Sequence, residues 1–151
     1  MRYSLRMKIR APLDFVYNWC TDFRIDDPKI TGSNSKRLVL EKSRDRAIYV
    51  ALNNKIDDYG RGGRIYLVKM EPPNTWRLQA HGNGFDTIGE YQLTRISSKD
   101  TQLRITFTHT YYDKSVMPTK VEKEMDSKRS WTKYVNALEK DFLGSTVETS
   151  S

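Results

Sequence analysis

The first residues of the chain alternate between apolar and polar side chains with a period of two. This alternation is typical of a β-strand with one buried and one wet face. Ala11-Pro12 ends the pattern, and Pro12 with Asp14 suits the first turn of a short helix, because proline fixes φ and acidic residues favour helix N-termini. The residues expected to be buried are Tyr3, Leu5, Met7 and Ile9 in the strand and Phe15, Val16, Trp19 and Cys20 in the helix.

A meander of further strands follows a second short turn or helix, TDFRIDDP, which is expected to end at Pro28. Short polar or proline-containing turns separate these strands. In the last strand every second residue from Leu103 to Tyr111 is apolar or aromatic, apart from His109, and we expect this face to point inward. The strands are predicted at residues 36–43, 46–55, 62–71, 75–82, 86–97 and 101–112.

A long amphipathic helix is predicted over roughly residues 116–142, because apolar residues recur there at mostly three- and four-residue intervals. The helix is expected to start between Ser115 and Pro118, since proline is tolerated only in a first turn. Gly144 is expected to end it, and the tail 144–151 is expected to be disordered. The apolar stripe consists of Met117, Val121, Met125, Trp131, Val135, Leu138 and Phe142.

The order of the elements is one strand, two short helices, six strands and a long helix. This order indicates the α+β class, with a curved antiparallel sheet of about seven strands wrapped around the C-terminal helix. A chain of 151 residues is the usual size of one domain, which we place at residues 1–143.

Composition narrows the class of protein. Charged residues make up 30% of the chain and the formal net charge is +7, which permits an anionic partner but is also a common solubilising charge. Acidic residues interrupt the basic runs and no aromatic stacking platform accompanies them, so we expect no specific nucleic-acid partner. Transient contact with an anionic membrane surface stays open. A single cysteine and the absence of a long apolar run favour a cytoplasmic protein.

The segment IRAPLDFVYNWCTDF resembles the strand-to-helix entry of the START/Bet v 1-like helix-grip superfamily (SRPBCC), in its polyketide cyclase/dehydrase and lipid transport branch. The matching residues are Ala11-Pro12, Val16-Tyr17 and Asp22-Phe23, and the long terminal helix with Trp131 and the ending WTKYVNALEKDF agrees. The resemblance covers about residues 1–143. It implies a helix-grip fold, with a cavity between the sheet and the long helix for a hydrophobic or amphipathic small molecule.

Inward aromatic residues are the first candidates for the lining of such a cavity, although ordinary core packing explains them equally well. They are Tyr66, Trp76, Tyr91, Phe107, Tyr111 and Trp131. His109 is either an inward polar residue or a group that transfers protons. Glu124 and Lys128 interrupt the helix stripe, so they either reach past the sheet to water or mark the mouth of the cavity.

No pattern in the sequence indicates a metal or a cofactor. His81 and His109 lack metal-ligand spacing, one cysteine gives no CxxC pair, and Gly60-Arg61-Gly62-Gly63 precedes a strand and is expected to be a hairpin loop. The resemblance implies a protein that binds or carries a lipid-, quinone- or polyketide-like molecule. The alternatives are a polyketide cyclase/dehydratase-type enzyme and an RNA or anionic-surface binding module. The oligomeric state is left open.

Overall fold

The computed structural model describes residues 1–24, 26–33, 35–52 and 62–149, with side chains up to Ser145. Seven strands in these ranges form one antiparallel sheet: β1 (Arg2–Ile9), β2 (Lys36–Lys42), β3 (Arg46–Leu52), β4 (Gly63–Glu71), β5 (Thr75–Gly82), β6 (Phe85–Arg95) and β7 (Thr101–Tyr111). The α-helices are α1 (Leu13–Cys20), α2 (Asp27–Ile30) and α3 (Lys120–Thr149), and a 3₁₀ turn spans Lys114–Val116.

The sheet has the strand order β1-β7-β6-β5-β4-β3-β2. Every pair of neighbouring strands is antiparallel. Consecutive strands from β2 to β7 lie side by side, and β1 lies at the edge beside β7. One row of residues crosses five strands on the face that meets α3: Tyr49, Tyr66, Ala80, Thr87 and His109 lie opposite one another in the register. This row therefore runs from tyrosine rings on β3 and β4 to polar side chains on β6 and β7. The α+β helix-grip architecture expected from the sequence is confirmed.

The core lies between this face, α1 and the second half of α3. The alternation predicted for β1 and β7 is confirmed, since Ile9, Leu103 and Ile105 are fully buried while their sequence neighbours are exposed or half-buried. In α1 the predicted Val16, Trp19 and Cys20 are buried, Phe15 is only half-buried, and Tyr17 joins the core as well.

The start of α3 differs from the prediction. Met117 and Pro118 are outside the helix, which begins at Lys120. Thr119 and Glu122 form a reciprocal cap: Glu122 N–H donates to Thr119 Oγ1 at 3.2 Å, and Thr119 N–H donates to Glu122 Oε2 at 3.4 Å. This capping box satisfies two N–H groups at the helix start, so it sets the boundary in place of the proline.

The predicted apolar stripe is not buried over the first turns of α3. Val121 and Met125 are 66% and 57% exposed, and Met117 is exposed too. Residues four apart advance by about 40° around a helix, so this part of the stripe turns away from the direction of Val135 and Leu138.

Three further boundaries were predicted wrongly. The helix does not end at Gly144, because helical backbone continues to Thr149, and residues 150–151 of the predicted disordered tail lie outside the described residues. Helix α2 includes Pro28 in its first turn and runs on to Ile30, where the prediction ended at Pro28. Strand β6 ends at Arg95, because Ile96 and Ser97 turn back to Asp100. Residues 53–55 of the third predicted strand, and residues 60–61 of the predicted hairpin loop, lie outside the described residues.

Candidate functional site

An aromatic groove lies between α3 and the concave face of the sheet. Its main cavity has a volume of about 320 Å³, and a second lobe of about 180 Å³ extends it towards α2 and β2. The two cavities share walls formed by Thr31, Arg37, Tyr49, Tyr66 and Tyr134. The remaining lining of the main cavity is Cys20, Phe23, Trp76, Leu78, Tyr91, Ser130 and Trp131.

A larger depression of about 680 Å³ lies on the opposite, outer face of the sheet. It is lined by Asp45, Arg46, Ile48, Leu67, Val68, Lys69, Arg77 and Gln79. None of these lining residues is aromatic, and three of them, Arg46, Lys69 and Arg77, are cations with long side chains. We therefore take the smaller aromatic groove as the candidate site, since ligand cavities are typically apolar and aromatic with a few polar groups.

Stacked pairs of rings form the walls of the aromatic groove. Tyr49 stacks on Tyr66 with ring centroids 4.6 Å apart and planes 8° apart, and Trp76 stacks on Tyr91 at 4.9 Å and 9°. Trp131 closes the groove from α3, 5.8 Å from the Tyr91 ring. Rings held face to face in this way present flat, rigid apolar surfaces to whatever occupies the groove.

Gly89 fixes the position of the Tyr91 ring. A Cβ atom added at Gly89 would come within 2.9 Å of Tyr91 Cε2 and 3.0 Å of its hydroxyl oxygen. Glycine lets the ring fold back over the sheet, where it stacks on Trp76. The shape of the groove therefore depends on a residue that contributes no side chain to it.

Three phenols and one thiol in the wall of the groove stay protonated near neutral pH. Burial raises the pKa of the Tyr49, Tyr91 and Tyr134 phenols well above the ordinary range, and burial does the same for the Cys20 thiol. Such phenols donate hydrogen bonds to an oxygen of a ligand but do not act as bases near neutral pH.

An ion pair stands at the α2 side of the groove. Arg37 Nη1 donates to Asp27 Oδ2 at 2.8 Å, and the guanidinium lies 4.3 Å from the centroid of the Tyr49 ring. Asp27 is buried, and Arg24 Nε lies 3.8 Å from Asp27 Oδ1. A carboxylate at this depth is stabilised by two cations, so it holds Arg37 firmly against the aromatic wall.

A chain of hydrogen bonds crosses from the sheet to α3 at the other side of the groove. Arg64 Nη2 donates to Thr87 Oγ1 at 2.7 Å, and Thr87 Oγ1 lies 2.8 Å from His109 Nδ1. His109 Nε2 lies 2.9 Å from the Tyr3 hydroxyl, which lies 2.6 Å from Ser127 Oγ on α3.

Only one direction in this chain is fixed by chemistry. A guanidinium only donates, so Thr87 Oγ1 accepts from Arg64. The hydroxyls of Thr87 and Tyr3 can donate to or accept from the imidazole, so a neutral His109 ring accepts at one nitrogen and donates at the other. Burial, aided by the charges of Lys123 and Arg64, lowers the pKa of His109 to about 4, which agrees with a neutral ring.

The predicted site residues fall in different places. Tyr66, Trp76, Tyr91 and Trp131 line the groove. Phe107 and His109 are buried beside it, 5.6 Å apart and stacked, and Tyr111 stacks on Phe85 at 4.8 Å. Glu124 is half-buried and Lys128 is exposed, and neither lines the groove. These positions do not support the hypothesis that Glu124 and Lys128 mark the mouth of the cavity.

Other lining residues were missed. Tyr49 lies in the segment RAIYVAL, whose two faces are both apolar, so the pattern did not reveal which one is inward. Tyr134 follows Trp131 by three residues on the same side of the helix, and that signal was available. Arg37 and Asp27 were missed because a charged pair ten residues apart leaves no periodic signal.

Within the described ranges, no group of three or more His, Cys, Asp or Glu side chains is arranged to hold a metal ion. Among the same residues, no helix combines the length and the apolar character needed to cross a membrane.

Comparison with known proteins gives matches in structure alone. No family model and no curated protein match the chain. A conserved protein from Geobacillus kaustophilus superposes with a TM-score of 0.68 at 16% identity, over 96% of this chain and 97% of that chain. The Zhui aromatase/cyclase from Streptomyces sp. R1128 gives 0.67 at 16% identity, over 93% and 92%. A START superfamily protein from Mycobacterium smegmatis gives 0.64 at 12% identity, over 95% and 97%.

These superpositions cover nearly all of both chains in each pair, so the match extends to the whole sheet and the long helix. At such low identities the similarity is one of fold. The chain therefore has the helix-grip fold, which it shares with these proteins.

Proposed function

We propose that this protein binds a hydrophobic or amphipathic small molecule, lipid-, quinone- or polyketide-like, in the aromatic groove under α3. The observation that carries the proposal is the pair of ring stacks, Tyr49–Tyr66 and Trp76–Tyr91, that face Trp131 across a cavity of about 320 Å³. This volume is at the lower end of the usual range for ligand cavities, about 300–1,000 Å³, and suits a molecule with one or two rings.

The chemistry of the walls supports binding over catalysis. The phenols of Tyr49, Tyr91 and Tyr134 and the thiol of Cys20 have raised pKa values, so near neutral pH none of them abstracts a proton. His109 is held by hydrogen bonds at both ring nitrogens and does not line the groove. The groove therefore offers flat apolar faces and hydrogen-bond donors, which is what recognition of a ring bearing a carbonyl or hydroxyl requires.

Tryptophan fluorescence tests the proposal directly, because Trp76 and Trp131 line the groove while Trp19 packs against Tyr134 outside it. Titration with menadione and with 2-naphthol is expected to quench the emission in a saturable way. Trp131→Ala is expected to weaken binding about tenfold, the cost of losing one aromatic contact. Val121→Ala, an exposed change on the same helix, is the matched control and should leave the affinity unchanged.

Native mass spectrometry of the protein from its own host provides a second arm, which looks for a co-purified small molecule. The proposal is wrong if neither probe binds saturably and no small molecule co-purifies. It is also wrong if the Trp131→Ala and Val121→Ala variants bind equally well, because binding would then occur elsewhere.

A further inference from the structure

Two cations, one from the sheet and one from α3, lie against the same aromatic ring near the start of α3. The guanidinium carbon of Arg64, on β4, lies 3.9 Å from the centroid of the Phe85 ring, and Lys123 Nζ, on α3, lies 4.8 Å from the same centroid. Each contact is of the cation–π type, which stabilises a positive charge without neutralising it. The sheet and the helix thus place two positive charges beside one ring.

Arg64 is held in place by neighbouring oxygens. Its Nε donates to Gly82 O at 3.2 Å, and its Nη2 donates to Phe85 O at 3.2 Å and to Thr87 Oγ1 at 2.7 Å. These bonds use three of the five N–H groups of a guanidinium. The two N–H groups on Nη1 have no hydrogen-bond partner among the described residues, so a fixed pair of donors remains available.

Two carboxylates, Asp86 and Asp126, act on the pair from a distance, but each has a closer partner among the described residues. Among the described residues, no carboxylate oxygen lies within 4.0 Å of Lys123 Nζ or of the Arg64 guanidinium. Asp126 pairs with Arg129, and Asp86 accepts from Tyr112 and lies 2.9 Å from His81 Nδ1.

Lys123 also lies in a partly dry place. It is half-buried, and burial is the largest cause of the lowering of its pKa, with the charge of Arg64 second. An ammonium group taken out of water beside another cation gains strongly from a bound anion. The burial of Lys123 and the neighbouring charge of Arg64 therefore both favour an anion at this place.

The cation pair adjoins the aromatic groove. The Arg64 guanidinium carbon lies 5.6 Å from the centroid of Tyr66, whose ring forms part of the groove wall. On the helix, Lys123 precedes Trp131 by eight residues, a rise of about 12 Å. A molecule that fills the groove can therefore extend a polar end to the cations.

We propose that Arg64 and Lys123 bind the carboxylate of an amphipathic acid whose apolar body occupies the aromatic groove. The inference rests on the proposed function and names the chemical class of the ligand, a monoanionic organic acid with a chain or ring system about 10 Å long. In this arrangement Arg64 Nη1 donates to one oxygen of the carboxylate, and Lys123 supplies the second positive charge.

Paired ligands that differ only in the head group test this assignment. Decanoate and decanol are titrated into the full-length protein by isothermal calorimetry. The wild type is expected to bind decanoate at least about tenfold more tightly than decanol, the usual strength of a hydrogen bond to a charged group. Lys123→Met is expected to remove most of this preference by weakening decanoate alone.

Lys128→Met is the matched control, because it removes the same charge from an exposed position on the same helix. It should bind both ligands as the wild type does. Arg64→Lys provides a second variant that keeps the charge but loses the planar pair of donors, and it should lower decanoate binding without changing that of decanol.

The outcomes separate the two proposals. If decanol and decanoate bind the wild type equally, the carboxylate assignment is wrong while the groove proposal stands. If Lys128→Met and Lys123→Met weaken decanoate equally, the preference comes from the net charge and the assignment is again wrong. If neither ligand binds, and menadione and 2-naphthol fail as well, both proposals are wrong.

Discussion

The two halves of α3 meet the rest of the molecule by different means. In the second half, Val135 and Leu138 are buried, and Phe142 packs edge-on against Phe15 at 4.9 Å. In the first half, Val121 and Met125 face water. As far as Ser127 this half reaches the sheet through polar side chains, and near its end the ring of Trp131 contacts a sheet ring, that of Tyr91. Apolar burial anchors one end of the helix, and directional bonds position the other. Stability and ligand chemistry are thereby divided between the two ends.

The largest expected effect tests the anchored end. Leu138 is 1% exposed, so Leu138→Ala should lower the free energy of unfolding by about 2–5 kcal/mol, through lost burial and the cavity left behind. Val121→Ala, at an exposed position on the same helix, should change it by less than about 0.5 kcal/mol. Urea denaturation measures both. Similar losses for the two variants would remove the contrast between the halves.

The next prediction concerns the pH dependence of stability, to which His109 contributes beside the first half of α3. The pKa of His109 in the folded protein is about 4, below its ordinary value of 6.5, so the unfolded chain binds an extra proton between these values. The contribution of His109 to stability is complete above pH 6.5 and is lost as the pH falls towards 4. The loss amounts to about 2–3 kcal/mol.

Unfolding free energies measured from pH 7.5 to 4 check this slope against a His109→Gln variant, which cannot take up the proton. The wild-type curve should fall more steeply than that of the variant. Parallel curves would show that His109 is solvated and that the hydrogen-bond chain does not hold it neutral.

A smaller effect is expected in the groove that joins the two ends. Gly89→Ala places a Cβ against the Tyr91 ring, which is buried and stacked on Trp76 and therefore has little room to move. We expect a loss of about 1–2 kcal/mol in stability. Near-ultraviolet circular dichroism should report an altered Trp76–Tyr91 stack, and menadione should bind more weakly. An unchanged spectrum would mean that Tyr91 does not depend on Gly89.

The smallest effect separates two serines on α3. Ser127 Oγ lies 2.6 Å from the Tyr3 hydroxyl, whereas Ser130 is exposed at the rim of the groove. Ser127→Ala should cost about 0.5–1.5 kcal/mol, the net contribution of one hydrogen bond. Ser130→Ala should cost less than about 0.5 kcal/mol. Equal values in thermal denaturation would indicate that the first half of α3 is not positioned through Ser127.

Strands β1 and β7 were predictable from the sequence because their side chains alternate. In both, one face is apolar and the other polar, and the period of two gave both the strands and their inward faces. Three of the proposed ligand residues, Tyr66, Trp76 and Tyr91, followed from the same reasoning, and Trp131 followed from the helical period of α3.

The start of α3 and half of the site were not predictable in this way. An apolar series with four-residue steps looks like one helical face but drifts around the axis, which is why Val121 and Met125 were assigned inward. The capping box of Thr119 and Glu122 was a local signal that outweighs Pro118. Arg64, Arg37 and Lys123 face the interior through partners distant in sequence, and no periodic pattern encodes such pairings.

The hydrogen-bond chain makes His109 a built-in spectroscopic reporter. Both of its ring nitrogens have hydroxyl partners, and one of these hydroxyls, that of Thr87, also accepts from Arg64. A carboxylate bound to Arg64 changes the electric field along this chain, so the ring resonances of His109 should shift when the ligand binds. The sequence has two histidines, so two pairs of ring ¹⁵N resonances suffice to follow occupancy of the groove without a label on the ligand.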